Sequence, residues 1–376
     1  MDSVNLITGF LTGGVIYIAA FLIVVGVIVF VHELGHFQVG RWCGARIEAF
    51  SIGFGKPILR WTDRKGTIWQ VGWLPIGGYV KFWGDENAIS MSREERLRTI
   101  ADDPDARECF HFKPIWQRAL IVAAGPVVNF IFAIVIFAGV YTTAGYPWVE
   151  SRIGTVMEGS GAAAAGLKPG DLVTSIDGAA ITEFRDLQLA VLFSGGDPLR
   201  LDVERDGGKL ALTATPIWQK PDNIGRFVLG VTPPKDAVQH WTTLGPAAAV
   251  MRGAKETKTI VHGSLTFLGG LISGREDPRQ LSGPVGIAEK AGEAIQISFL
   301  SLLMLMGAVS VSIGLINLFP IPMLDGGHLL FYAIEAVRRR PLTERTQEFG
   351  LRIGLALVLS VMLFATWNDL MRIFWS

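Results

Sequence analysis

Hydrophobic residues are gathered into long uncharged blocks along this chain. The blocks cover residues 13–31, 119–143, 294–324 and 353–368. Since a helix rises about 1.5 Å per residue, roughly 20 apolar residues cross a hydrocarbon core of about 30 Å. Soluble helices of this length keep a polar face, whereas these blocks are apolar all round. The pattern predicts an α-helical polytopic membrane protein with four transmembrane helices.

Two other apolar stretches need separate interpretation. The N-terminal 12 residues contain Asp2 but no Lys or Arg, and no small-residue cleavage site follows, which favours a retained helix over a signal peptide. Residues 259–274 are uncharged but short and glycine-rich. We expect an interfacial or loop-like segment there rather than a fifth span.

Basic residues indicate which loops face the cytoplasm, because Lys and Arg accumulate on that side. They cluster after the first block, before the second and after the third, at Arg338–Arg340. The predicted order is span 1–40, cytoplasmic loop 41–117, span 118–144, periplasmic domain 150–217, connecting segment 218–293 (partly interfacial), span 294–327, cytoplasmic loop 328–348 and span 349–370.

The first cytoplasmic loop combines an aromatic and a charged part. Trp69–Phe82 reads WQVGWLPIGGYVKF and predicts a membrane-associated β-hairpin turning at residues 75–78, whose backbone must find partners at that depth. Residues 85–105 predict a solvated loop with a short helix. Cys43 and Cys109 fall in this loop, so we expect free thiols.

The periplasmic segment alternates short β-rich runs with turn signals. Runs at 153–156, 172–176, 199–204 and 209–214 flank a predicted helix at Phe184–Phe193. The string GLKPGDLV at 166–173 resembles a PDZ domain of the bacterial protease type, so one PDZ-like α/β insert is expected. Such a groove accepts an extended peptide as an added strand. The alternative is a spacer that only restricts access sterically.

Composition narrows the function classes further. The 376 residues carry 34 basic and 34 acidic side chains, and 50% are apolar while 18% are charged, against roughly 25% charged in soluble domains. The apolar content excludes disorder, and the zero net charge argues against nucleic acid as a partner.

The strongest chemical signal is the motif HELGH at residues 32–36. On a helix, His32 and His36 share one face and can bind one zinc ion, while Glu33 can take a proton from a water. Ionisable residues at the end of a membrane helix usually have a function because burying them is costly. The alternative is a structural cluster that snorkels to the interface.

A catalytic zinc normally has three protein ligands, and Asp325 is the candidate for the third. It follows Pro320 and Pro322, which break or kink the third block. With one crossing between them, spans one and three run in the same direction, so HELGH and Asp325 end at similar depth. His328 is a competing ligand, for which we favour an outer or structural role.

Taken together, these motifs resemble the site-2 protease family of intramembrane zinc metalloproteases, in particular the bacterial regulator-of-sigma-E protease branch. The matching strings are HELGH, GFG at 53–55, GGYVK at 77–81, GPVVN at 125–129 and NLFPIPMLDGG at 317–327. The resemblance implies one zinc ion bound by His32, His36 and Asp325, with Glu33 as general base. It also implies substrate contacts at Gly77, Gly78, Tyr79, Asn129 and Asn317. For the two asparagines, ordinary interhelical hydrogen bonding is the alternative.

The function implied by this resemblance is cleavage of single-pass transmembrane proteins in the bacterial inner membrane, near its cytoplasmic side. Substrates of the anti-sigma-factor or signal-peptide type would be cut after a first cleavage by another protease. Membrane lipid and a peptide ligand of the PDZ-like insert are the other expected partners. Close family members often carry two tandem PDZ domains, whereas residues 219–279 are too poor in strand patterning for a second copy.

Three other functions fit parts of the sequence. A different membrane HExxH protease would typically use a Glu as third ligand and lack the insert. A catalytically inert PDZ scaffold would bind no metal. A transporter could use the proline-broken third span, but the chain lacks the internal repeat usual in such folds.

Overall fold

A computed structural model describes residues 2–84, 99–219, 226–238, 240–274 and 276–375. The chain forms two compact units. Unit 1 comprises Met1–Phe137, Gly253–Val261 and Leu281–Ser376, and unit 2 comprises Ala138–Arg252 and His262–Gln280. Residues 85–98 lie outside the described residues. The short helix expected within 85–105 falls largely on them and stays a prediction.

The helices of eight residues or more, together with one four-residue helix, are numbered in chain order. They are α1 (Asp2–Trp42), α2 (Ile115–Thr143), α3 (Gly161–Ala164), α4 (Phe184–Phe193), α5 (Pro246–Ile272), α6 (Pro284–Ile297), α7 (Phe299–Asn317), α8 (Asp325–Arg338) and α9 (Glu344–Trp375). The strands are β1 (Ile47–Thr62), β2 (Ile68–Phe82), β3 (Tyr146–Trp148), β4 (Thr155–Val156), β5 (Leu172–Ile176), β6 (Ala179–Ala180), β7 (Leu199–Arg205), β8 (Gly208–Ala214), β9 (Ile217–Gln219), β10 (Arg226–Val228), β11 (Val231–Thr232) and β12 (His240–Thr242).

Four helices in the described part of the chain are long and apolar enough to cross a membrane. They are Gly14–Trp42, Ile115–Thr143, Phe299–Asn317 and Arg345–Arg372. This number agrees with the four spans predicted from the hydrophobic blocks. These helices indicate a polytopic membrane protein.

The third span is shorter than its uncharged block. The block begins inside α6, which ends at Ile297, and Ser298 then caps α7 by accepting a hydrogen bond from the backbone N–H of Ser301 at 3.0 Å. The helix ends at Asn317, ahead of the two prolines. An uncharged run therefore contains one helix end, one span and one irregular turn.

Two segments expected to be irregular are helical instead. Residues 259–272 belong to α5, which begins at Pro246, so the loop-like interpretation is wrong. The loop predicted at 328–348 contains most of α8. In both cases an amphipathic pattern extends beyond the uncharged stretch, and tertiary packing outweighs the helix-weakening effect of the glycines.

The aromatic β-hairpin predicted at Trp69–Phe82 is also wrong. Phe50 of β1 pairs with Trp69 on one side and with Val80 on the other, so the two halves of β2 flank β1 and do not pair with each other. The outer part of β1 then folds back, since Trp61 also pairs with Trp69. The result is a small curled antiparallel sheet in which residues 78–82 form an edge.

Unit 1 has an apolar core between α1, α6 and α7. Val24 and Ile28 of α1 are fully buried with Ala291 of α6 and Met306 of α7. Gly292 lies so close to α1 that a Cβ atom there would stand 1.6 Å from the ring of Tyr17. Close contacts of this kind fix the N-terminal half of α1.

Unit 2 is built on a four-stranded antiparallel sheet with strand order β6-β5-β7-β8. Its core includes Val173, Leu187 and Leu201, and also Leu229, which lies beyond the predicted domain end at residue 217. Strand β11 pairs with β4 near the start of the unit. The boundary at 217 is thus too early, because these later short strands complete the fold.

Candidate metal centre

The HELGH motif lies in the C-terminal part of α1, where its two histidines share a helix face. The Nε2 atoms of His32 and His36 are 3.2 Å apart, and each residue is only 9% exposed. The i and i+4 positions of a helix carry side chains toward the same side. The spacing therefore brings both rings together as expected.

Two glycines allow α2 to pass directly against these rings. A Cβ atom on Gly125 would stand 2.3 Å from Nε2 of His36 and 2.8 Å from Cε1 of His32. On the α1 side, a Cβ atom on Gly35 would stand 2.6 Å from the carbonyl oxygen of Ala124. Small residues let membrane helices approach closely, which explains the glycine in the GPVVN string.

Asp325 reaches the histidines from the N-terminus of α8. The turn between α7 and α8 is irregular, with Met323 at a φ of 98°, a left-handed conformation that non-glycine residues seldom adopt. Cβ atoms on Gly326 and Gly327 would come within 2.3 and 2.4 Å of backbone carbonyls in the same turn. The glycines thus let the turn fold back over the start of α8.

The ligand atoms of His32, His36 and Asp325 form a compact triangle. Oδ2 of Asp325 lies 3.1 Å from Nε2 of His32 and 3.5 Å from Nε2 of His36. Tetrahedral zinc with bonds of about 2.0–2.1 Å separates its ligands by roughly 3.3–3.4 Å. Oδ2 is buried and faces the two ring nitrogens. Three lone-pair donors at this spacing fit a zinc ion.

The outer ring nitrogens of both histidines face α2. Nδ1 of His36 donates to the carbonyl oxygen of Ile121 at 2.9 Å. This bond leaves the Nε2 lone pair free to bind a metal, as in most histidine–zinc sites. Nδ1 of His32 lies 3.2 Å from the side-chain amide of Asn129.

A cavity of about 640 Å³ opens onto the triangle. Its lining includes Glu33, whose carboxylate is hydrogen-bonded by the backbone N–H of Val80. A Cβ atom on Gly78 would stand 3.0 Å from Cγ of Glu33, so the sheet edge approaches this carboxylate closely. Of the residues predicted to contact substrate, Gly77, Gly78, Tyr79 and Asn317 line this cavity.

Two other residues singled out from the sequence have different positions. Asn129 is fully buried and is not part of the cavity lining, so it lies behind His32. His328 lines the cavity but is not in the group of described residues spaced to hold a metal. Asp325 therefore has the better geometry for the third ligand. Cys43 and Cys109 do not form a disulfide within the described part of the chain.

Sequence reasoning singled out Asn129 on α2 but missed Ile121, whose backbone carbonyl supports the ring of His36. The carbonyl of Ile121 left no sequence signal, because any residue has a backbone oxygen. Gly125 lies in the GPVVN string, but its packing role was not predicted, although a glycine within an apolar helix often marks a close helix contact.

Comparison with known proteins agrees with this architecture. The family model described as Peptidase family M50 matches residues 20–361. A provisionally named zinc metalloprotease of Agrobacterium fabrum is 42% identical, covering 98% of this chain and 99% of its own length. Metalloprotease MmpA of Caulobacter vibrioides is 41% identical over 96% of both chains. Regulator of sigma-E protease RseP of Salmonella typhimurium is 32% identical over 95% of this chain and 98% of its own.

The chain belongs to peptidase family M50, the site-2 proteases. It is a zinc metalloprotease with a membrane-embedded fold. The inert scaffold and the transporter are thereby set aside, as is a membrane HExxH protease of another type.

Proposed function

We propose that this zinc metalloprotease cleaves the transmembrane segments of single-pass membrane proteins, as part of regulated intramembrane proteolysis. The observation that carries the proposal is the triangle of His32, His36 and Asp325, whose three ligand atoms lie within 4.8 Å of one another. Two of these residues belong to a candidate membrane span, and the third follows another. A site at this position acts on peptide bonds within or beside the bilayer.

In this proposal His32, His36 and Asp325 would hold one zinc ion, which when bound would supply Lewis-acid activation of a water and of the scissile carbonyl. Glu33 accepts the proton of the attacking water and later delivers it to the leaving amine. The hydrogen bond from Val80 orients the Glu33 carboxylate. Asn317 lines the same cavity, and in this proposal it would contact the substrate backbone.

The sheet edge at residues 78–82 is proposed to hold the substrate extended. A peptide bond in a helix is shielded by its i to i−4 hydrogen bonding, so the substrate must unwind locally before attack. The unwound segment would add to this edge as a further strand. Gly77, Gly78 and Tyr79 line the cavity at this edge, beside Glu33.

Unit 2 is proposed to be a PDZ-like domain on the periplasmic side. A groove of about 470 Å³ runs between α4 and residues 227–231, and Leu187, Val191 and Phe227 contribute to its apolar lining. This groove suits an extended peptide, and the domain would also exclude substrates with bulky outer domains. The basic loops that follow α1 and α8 support the cytoplasmic placement of the metal centre.

The test of the proposal is the substitution Glu33→Gln, which keeps the shape of the side chain and removes its basicity. We expect cleavage of a model single-pass substrate to fall roughly 10²- to 10⁴-fold, while bound zinc stays at one per chain. Glu293→Gln is the matched control, since Glu293 is an exposed carboxylate on α6. Full activity in the Glu33→Gln protein would refute the role assigned to Glu33.

A further inference from the structure

The side chain of Asn129 is a fully buried polar group beside the metal centre. Asn129 is 0% exposed, and its amide nitrogen faces Nδ1 of His32 at 3.2 Å. Its Oδ1 atom is buried without a hydrogen-bond partner among the described residues. A buried amide oxygen left unpaired loses its hydrogen bonds to water without replacing them, which destabilises the fold, so this arrangement needs an explanation.

The protonation of His32 when it binds zinc supplies the explanation. If Nε2 gives its lone pair to the metal, the neutral ring carries its hydrogen on Nδ1. Nδ1 then needs an acceptor, and an amide nitrogen cannot be one. A half-turn of the Asn129 amide exchanges its two heavy atoms, which are nearly the same size, and brings Oδ1 to Nδ1. The orphaned oxygen thereby gains the hydrogen bond that it lacks.

The second histidine of the centre follows the same pattern. Nδ1 of His36 donates to a carbonyl oxygen of α2, that of Ile121. Residues 121 and 129 belong to the same helix, which passes close to both rings at Gly125. One helix thus offers an oxygen to each ring, from its backbone in one case and from a side chain in the other.

We propose that Asn129 is a positioning residue for the metal centre: its side-chain oxygen accepts the Nδ1 hydrogen of His32 and aims Nε2 at the zinc ion. Asn129 is absent from the cavity lining, so it acts through His32 and does not touch the substrate. This inference rests on the proposed ligand set of His32, His36 and Asp325.

The alternative role for Asn129 is ordinary contact between helices, and the structure offers a matched control for it. Ser310 of α7 is fully buried, and its Oγ donates to the backbone carbonyl oxygen of Asn129 at 2.9 Å. Substituting Ser310→Ala removes this interhelical hydrogen bond at the same residue and leaves the amide untouched.

The experiment measures zinc affinity of the purified full chain in detergent, by competition with a graded series of chelators. Asn129→Leu keeps the volume and removes the acceptor, and we expect its zinc affinity to fall roughly 10- to 100-fold. Asn129→Asp keeps an acceptor oxygen and should bind zinc at least as tightly as wild type. Ser310→Ala should stay within about twofold of wild type.

A spectroscopic readout separates positioning from general destabilisation. In Co²⁺-loaded protein, the visible absorption bands of the metal should be altered in Asn129→Leu and preserved in Asn129→Asp and Ser310→Ala. Wild-type affinity in Asn129→Leu would overturn the inference, as would loss of zinc from folded Asn129→Asp or an equal loss in Ser310→Ala. If Asn129→Leu does not fold, the Asn129→Asp arm still decides. If the His36→Ala protein keeps its zinc, the proposed ligand set is wrong, which is a different outcome from failure of the role of Asn129.

Discussion

At the scale of single residues, the proposed metal centre requires glycine at positions where any side chain would clash with a neighbouring helix or ring. A Cβ atom on Gly125 would clash with the rings of both His32 and His36. A Cβ atom on Gly35 would clash with the backbone of Ala124. Close-packed interiors do not absorb such an overlap without moving the elements involved. The ligand geometry therefore depends on residues that donate nothing to the metal.

Substituting Gly125→Ala should abolish stable zinc binding, because its methyl group would stand 2.3 Å from Nε2 of His36. The loss should appear as a zinc content well below one per chain after gel filtration in detergent. Gly139→Ala is the control in the same helix, since a Cβ atom there meets nothing within 4 Å. Unchanged zinc content in both variants would show that α2 does not need this close approach.

At the scale of elements, the C-terminal part of α9 is tied to the N-terminus of α6 by one buried carboxylate. Asp369 is 1% exposed, and its Oδ2 accepts from the backbone N–H groups of Gly283 and Gly286 at 2.9 and 2.8 Å. The first N–H groups of a helix lack partners within the helix, and a negative charge is favourable there. Since α6 also packs on α1, this cap connects three helices of unit 1.

Replacing Asp369 by Ala should therefore destabilise unit 1. Two hydrogen bonds to a charged acceptor are lost and buried N–H groups remain unpaired, which costs about 1–3 kcal/mol for a group of this kind. We expect the apparent Tm in detergent to fall in the order wild type, Asp369→Asn, Asp369→Ala. The exposed hydroxyl of Ser360, bonded only within α9 to Ala356, provides a control, and Ser360→Ala should melt like wild type. Equal melting of all four proteins would rule the cap out.

The helices and strands also show which parts of the structure could be predicted from the sequence. The helix at Phe184–Phe193 and the four spans follow from local periodicity and length, and the structure has them. The pairing partner of a strand does not follow, because residues 68–74 and 78–82 suit each other and β1 equally well by pattern. The proposed metal ligands were accessible to sequence reasoning because His32 and His36 are four residues apart and Asp325 ends a proline-broken block. The oxygens that orient the rings depend on how α2 crosses α1, which no local pattern encodes.

At the scale of the whole molecule, the two compact units rely on different interactions. Unit 1 contains three of the four candidate spans in full and the metal centre. Unit 2 has a sheet core supported by ion pairs, among them Arg205 with Asp171, whose Oδ1 and Oδ2 each lie 2.7 Å from a guanidinium nitrogen. Asp171 is 1% exposed, so its charge needs this partner.

This ion pair predicts a pH dependence confined to unit 2. Burial alone would raise the pKa of Asp171, but hydrogen bonds from Arg205 and from the backbone N–H of Lys168 outweigh burial and leave the pKa below its usual value. A carboxylate with a depressed pKa in the folded state stabilises the fold above its unfolded pKa of about 3.9. That contribution disappears as the pH falls through the folded-state pKa.

Hydrogen exchange of the β5 and β7 amides in the full-length protein measures this contribution. Asp171→Asn should reduce their protection relative to wild type at pH 7. The difference should begin to shrink below about pH 4 and should vanish only below the depressed folded-state pKa, where Asp171 of wild type is also neutral. Asp197→Asn is the control, since Asp197 is exposed and should exchange like wild type at every pH. A difference that persists unchanged at low pH would mean that shape, rather than the charge of Asp171, stabilises the unit. Zinc content should be the same in all three proteins, because Asp171 and the metal ligands belong to different units.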